Sequence, residues 1–371
     1  MREQATYFHA TAKYQGCNPM TSSRRSVIFG GPALILSVRA LARESSQWKT
    51  ASPKSQGISS AALELAFANG STIGALRSLL VVRNGVLVGE RYFGGAKPTD
   101  LLPINSVTKS ICSLLIGQAI EQGKLKGFAQ TVGELLPDQA RRYPGSAASK
   151  VTLGRILAGT TGIAYEFKKQ YNDLTTSPDP VQFVFSLPND GRGPNTWSYN
   201  DAAVSLLSPI LERAHGMPIE DIAKRDLFAP LGVESFLWDR DKGGRAMSYK
   251  GLSLRTRDLA KLAWVMANGG KWLNTRVVPS AWVAASSRTE VTGVWPNPPI
   301  TSVGYGLLWF TGTLEGRYVV WAWGYGGQIA LFVPSLKLAI ATAATNPRMQ
   351  DMRSQAEAIT SIVAQVVAGT T

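Results

Sequence analysis

Histidine is almost missing from this chain: 371 residues contain only His9 and His215. His215 sits in Arg213-Ala214-His215-Gly216, where Gly216 reads as the left-handed residue that ends a helix. A histidine in a last helical turn is favourable to the helix dipole, which is a structural role. His9 lies ahead of a segment read below as an export signal, so a Ser-His-Asp triad or a histidine-rich metal site is hard to build. Chemistry, if present, has to use Ser, Lys, Tyr or carboxylates. Cysteine is as scarce, and Cys17 and Cys112 cannot make a disulfide framework. Cys112 falls on the apolar side of a predicted helix and reads as a small core residue. No Cys/His ligand cluster points to zinc, and no metal or other cofactor is expected. Charged residues make up only 17%, too few for a disordered or coiled-coil chain, and no apolar run reaches the roughly 20 residues of a membrane span.

What is present suits a large globular enzyme of one or two domains, with 44% hydrophobic residues. The net charge of +14 comes from scattered lysines and arginines, without a basic run or an aromatic RNA-binding signature. It therefore reads as a solvated surface, not a nucleic-acid footprint. Ser23-Arg24-Arg25-Ser26-Val27-Ile28-Phe29 is a twin-arginine pattern, followed by the apolar stretch Ile28–Val38 and a small-x-small site at Ala40-Leu41-Ala42. Residues 1–42 thus read as an upstream extension plus signal peptide, with Met20 as an alternative start, and the mature chain as periplasmic or secreted. The other reading is an ordinary N-terminal helix on a cytoplasmic protein. Cleavage after Ala42 removes five basic residues and Glu3, taking the charge from +14 to +10.

Residues 43–371 read as one domain. A helix is predicted over Ser59–Asn69, then two β-rich runs, Ser78–Arg83 and Val86–Phe93, around Asn84-Gly85, the strongest short-range hairpin signal. A long helix follows from about Ser106 to Glu121. Residues 125–300 read as a largely helical subdomain, with helices at Leu153–Ala158, Ala202–Ala214 (kinked at Pro209), Ile219–Phe228 and Thr256–Asn268. Strands return at Gly306–Thr311, Arg317–Trp323, Ile329–Val333 and Leu338–Thr345, and a helix over Met349–Val367 closes the chain. The expectation is an α+β fold: an antiparallel sheet built from both ends of the chain, flanked by helices, with an inserted helical region.

Three segments could carry chemistry. In Ser106-Val107-Thr108-Lys109 the lysine lies one helical turn from the serine, at a helix N-terminus whose N–H groups suit a developing anion. A buried lysine can lose its proton and serve as a base. Alone, Ser106 reads equally well as a helix N-cap, and Ser46-Gln47-Trp48-Lys49 fits the same pattern without support. Trp197-Ser198-Tyr199-Asn200-Asp201 could supply a proton-relaying tyrosine, or an aromatic packed at a helix start. Trp323-Gly324-Tyr325-Gly326-Gly327-Gln328, between two predicted strands, permits close approach of a substrate or is simply a tight bend.

Together, in this order and spacing, they resemble the penicillin-recognising serine hydrolase superfamily. The similarity is to its class C β-lactamase-related branch, which includes family VIII carboxylesterases and 6-aminohexanoate-oligomer hydrolases. Val151-Thr152-Leu153 through Gly162-Ile163, Asp226-Leu227-Phe228-Ala229-Pro230-Leu231-Gly232, and Gly251-Leu252 with Thr256-Arg257-Asp258-Leu259-Ala260 add to it, so it runs from about Ser59 to the C-terminus. The resemblance implies a β-lactamase/penicillin-binding-protein transpeptidase-like fold. It implies Ser106 as nucleophile, Lys109 as the group that sets protonation, Tyr199 as general base and acid, and the backbone N–H groups of Ser106 and Tyr325 as oxyanion hole.

Two departures matter. Asp201 replaces the asparagine of a Tyr-x-Asn motif, and Ala322-Trp323-Gly324 replaces Lys-Thr-Gly. Both remove groups that would hold a carboxylate-bearing β-lactam. The resemblance therefore implies ester or small-amide hydrolysis, with a β-lactamase or D,D-peptidase, an acyltransferase and a non-catalytic cell-wall binder as rivals. Tyr165, Asp201, Trp323, Gly324 and Gly326 stand as candidate substrate-binding positions. Trp323, Trp197 and Trp238 line a cleft or pack in the core.

Overall fold

Asn84 and Gly85 take φ of 50° and 81°, the left-handed pair that closes a tight hairpin. This computed structural model describes residues 48–193 and 195–371; the twin-arginine segment and its cleavage site lie outside them. Ser59 caps the first helix, α1 (Ser60–Thr72), by accepting from Ala62 N at 3.2 Å. The hairpin strands are β1 (Leu76–Arg83) and β2 (Val86–Tyr92). The long helix α2 (Val107–Glu121) follows, and the region after it supplies α3 (Leu153–Ala158), α4 (Asp201–Ser205) and α5 (Thr256–Ala267), among others. Five strands come next: β3 (Thr301–Gly306), β4 (Trp309–Leu314), β5 (Arg317–Gly324), β6 (Gln328–Val333) and β7 (Leu338–Ala344). Helix α6 (Met352–Ala368) ends the fold.

The sheet is antiparallel, ordered β2-β1-β7-β6-β5-β4-β3, so strands from the two ends of the chain pair inside it, with Val81 opposite Ile340. Both faces are covered. A Cβ on Gly89 of β2 would lie 2.9 Å from Leu63, which puts α1 on one face. Ser78 of β1 hydrogen-bonds Thr256 of α5 at 2.7 Å across the other. Strands buried on both sides read as mostly apolar runs; β6 and β7 are buried throughout, and only Gln328 and Thr342 in them are polar.

Two local expectations are corrected. The strand expected over Gly306–Thr311 is two strands, because Leu307 and Leu308 have φ of 49° and 65° and make a tight turn between β3 and β4. Tertiary contacts hold that apolar turn: Leu308 N donates to Leu157 O at 2.8 Å, and Ser110 Oγ donates to Leu308 O at 2.7 Å. The helix expected over Ala202–Ala214 breaks at Leu206, ahead of Pro209. Proline has no N–H for the carbonyl four residues back, here Ser205, so the interruption falls one turn before the ring.

Candidate active site

Helix α2 is buried from Val107 to Ala119 on every face, so its polar residues need partners inside the protein. The chain reaches it through a short strand, Leu102–Pro103, paired with Leu252–Leu254, and Ile104 N donates to Leu252 O at 2.9 Å. Asn105 then turns left-handed at φ 48°, a conformation asparagine tolerates better than most residues. Its amide donates to Tyr325 O at 2.7 Å and Asn346 Oδ1 at 2.6 Å, tying the approach to the far end of β5. Ser106 stands at the helix N-cap, yet its side chain makes no capping bond. Its hydroxyl instead accepts from Lys109 Nζ at 2.9 Å. The capping role that the sequence left open is not the one this serine has.

Lys109 is buried and its ammonium touches three oxygens: Ser106 Oγ, Tyr249 O at 2.7 Å and Asp201 Oδ1 at 2.7 Å. Its Nζ also lies 4.7 Å from the centre of the Tyr199 ring. Burial pulls its pKa below the ordinary lysine value, and the negative charge of Asp201 works against that pull.

Tyr199 and Asp201 are brought to Lys109 by Asn200 between them. Asn200 caps α4 by accepting from Ala203 N at 2.8 Å, and its amide donates to Ile163 O at 2.9 Å, so the tyrosine segment is locked to the Gly162-Ile163 loop. Asp201, at 2% exposure, is the first residue of α4 and points inward to Lys109. A carboxylate spent on a buried ion pair is not presented to a cleft, which corrects its expected place as a substrate contact. Burial, then the charge of Asp201, raise the Tyr199 phenol well above its ordinary pKa; a hydrogen bond with Ser106 acts the other way. The phenol therefore keeps its proton at neutral pH.

The third motif packs against the serine segment. A Cβ on Gly324 would sit 2.5 Å from Ile104 O, so only glycine lets β5 approach so closely. Among the described residues, neither Ser106 N–H nor Tyr325 N–H donates to another protein group. Gly326, at φ 91°, faces Pro347 and Thr345 O and not the serine, and its carbonyl accepts from Gln355 at 2.8 Å. Trp323 packs edge-on against Phe310 at 5.5 Å, and Trp238 donates to Met247 O at 2.9 Å; both have packing roles.

Tyr165 is buried beside this cluster, its hydroxyl without a partner among the described residues and its pKa raised by burial and then by Asp201. Sequence reasoning missed Asn105, Tyr249 and Trp295. Asn105 and Tyr249 adjoin segments already singled out, but Tyr249 acts through its carbonyl, which carries no residue-type signal. Trp295, 40% exposed, stacks on Tyr199 with centroids 4.7 Å apart and meets Trp197 edge-on at 5.4 Å. Its flanking Val294 and Pro296 read only as loop.

The profile of the beta-lactamase family matches residues 53–364. The chain belongs to that family. It is similar to the 6-aminohexanoate-dimer hydrolase of Paenarthrobacter ureafaciens, 27% identical over 264 residues, covering 65% of each chain. That is less than two thirds of the relative's length. Solved structures of similar fold include the octameric penicillin-binding protein homologue of Pyrococcus abyssi, with a TM-score of 0.66 at 18% identity over 82% of this chain and 76% of that one. A D-stereospecific amidohydrolase of a Streptomyces species has a TM-score of 0.64 at 17% identity, over 84% of this chain and all of that one. The fold is thus that of beta-lactamases and penicillin-binding proteins. Among the described residues no helix is long and apolar enough to cross a membrane.

Proposed function

We propose that this beta-lactamase-family chain is a serine hydrolase that cleaves carboxylic esters or small amides through an acyl-enzyme on Ser106. The observation that carries this reading is the Lys109 ammonium, buried and held 2.9 Å from a serine hydroxyl that caps nothing. In its amine form Lys109 takes the hydroxyl proton as Oγ bonds to the substrate carbonyl carbon. The carbonyl oxygen becomes an oxyanion facing the free N–H groups of Ser106 and Tyr325. The Tyr199 phenol donates its proton to the departing alcohol or amine as the carbonyl–heteroatom bond breaks, and the Lys109 proton restores the phenol. Water then gives up a proton and displaces Ser106 by the same route in reverse. Of the two roles that the resemblance implied for Tyr199, general base and general acid, its raised pKa favours the acid in the acylation step.

The substrate is a small molecule. Amides fall within its range, supported by the hydrolysis of 6-aminohexanoate dimer, whose units are joined by an amide bond, that is named for the Paenarthrobacter relative. Ala322 and Trp323, where a β-lactamase carries lysine and threonine, leave no cation at the third motif to hold a β-lactam carboxylate. The test is intact mass after exposure to a fluorophosphonate, for wild type and Ser106→Ala. Labelling of wild type alone is expected, followed by turnover of p-nitrophenyl esters above that of nitrocefin. Equal labelling of both proteins, or of neither, overturns the assignment.

A further inference from the structure

Three oxygens share the hydrogens of Lys109 Nζ. Tyr249 O accepts an N–H at 2.7 Å, and Asp201 Oδ1, which can only accept, faces the ammonium as an ion pair at 2.7 Å. The third direction points to Ser106 Oγ at 2.9 Å. An ammonium fills that direction with N–H and leaves the serine inactive; an amine fills it with a lone pair able to take the serine proton. One proton separates the two states.

Asparagine at position 201, which the family resemblance leads one to expect, would accept the same N–H through its amide oxygen. Aspartate adds no hydrogen bond to that count. It adds a full negative charge against a lysine in a site where both side chains are 4% exposed. We propose that Asp201 is a positioning residue that sets the pH at which Ser106 becomes activated, by holding Lys109 in its ammonium form to a higher pH than a neutral residue would. This rests on the reading of Ser106 as nucleophile and Lys109 as its base. On activation the Nζ proton leaves to solvent, and the lone pair takes the serine proton as the Oγ–carbon bond forms.

The other groups around Lys109 do not supply this charge. Tyr199 from the start of α4 and Tyr249 from the loop before the short strand are phenols held neutral by burial. Cys112, one turn along α2, is a thiol that burial also keeps protonated. Tyr171, on the helix Phe167–Thr176, receives the Lys250 ammonium at 2.7 Å, and Lys250 lies 5.9 Å from the Tyr249 ring centre. Lys250 carries the same sign of charge as Lys109, so it cannot stand in for Asp201.

The test compares pH profiles of kcat/KM and of fluorophosphonate labelling for wild type, Asp201→Asn and Asp201→Glu. Losing an opposite charge at this range moves a lysine by about 1–3 pH units. The acid limb of Asp201→Asn is therefore expected at least about one unit lower, so that on the wild-type acid limb it runs about tenfold closer to its own plateau. Asp201→Glu, which keeps the charge, should leave the limb in place. An unmoved limb in Asp201→Asn overturns the proposal, as does loss of labelling at every pH with a native melting profile. If the asparagine variant does not fold, Asp201→Ser is read by the same criteria. Ser106→Ala separates the two failures: if it labels, the nucleophile is wrong; if it is silent while the Asp201→Asn limb stays, only the role of Asp201 falls.

Discussion

At the scale of single residues, the site divides proton traffic between two groups that burial treats differently. Burial lowers Lys109 and raises Tyr199, so each keeps its uncharged form over a wider pH range than in water. The sign for activity follows: the rate rises with pH as Lys109 loses its proton and falls as pH drops below that point. Tyr199→Phe removes the proton donor to the leaving group and should lower kcat on alkyl esters by about 100-fold or more. On p-nitrophenyl esters, whose leaving group needs no proton, the loss should be much smaller, and steady-state rates on the two ester classes check it. Trp295 was not legible as a site residue, because a loop tryptophan among prolines carries no periodicity or motif. Its exposed face beside Tyr199 predicts that Trp295→Ala raises KM for esters with bulky apolar groups, by about 10-fold or more, while acetate esters change little. Asp201 was legible as a departure, but its direction was not: inward or outward is decided by the buried ammonium opposite it, which a one-dimensional pattern does not show.

Among elements, those with local chemistry could be read directly. Asn84-Gly85 made the hairpin, Ser59 capped α1 and Gly159 ended α3 in a left-handed turn, each for a reason contained in a few residues. The turn at Leu307-Leu308 could not be read. Nothing in two leucines favours positive φ, and the reasons for it lie in Ser110 and Leu157, far away in sequence. The approach of β5 to the serine segment is similarly non-local and turns on Gly324. A methyl group there, 2.5 Å from Ile104 O, must push the two segments apart and with them the two candidate oxyanion donors. Gly324→Ala is expected to cut kcat by about 100-fold, the scale of losing one such donor, while the protein still melts cooperatively. Stopped-flow acylation together with a melting curve would show whether chemistry or folding was lost.

For the whole molecule, the twin-arginine pattern and the Ala40-Leu41-Ala42 site support the proposal that residues 1–42 are removed on export. N-terminal sequencing of exported protein should begin at or near Arg43, and material that retains the arginine pair would refute it. The order of the sheet has a further consequence, in time. Strand β1 sits between β2 and β7, but β7 lies about 250 residues later in the chain. At about 5–20 residues per second of synthesis, the first hairpin waits roughly 10–50 s for the strand that completes it. Throughout that wait Leu79, Leu80, Val81 and Val82, all fully buried in the finished protein, stay on an open edge. A newly made chain is thus most vulnerable to mispairing at its beginning, and that risk ends only when nearly all of it has been made.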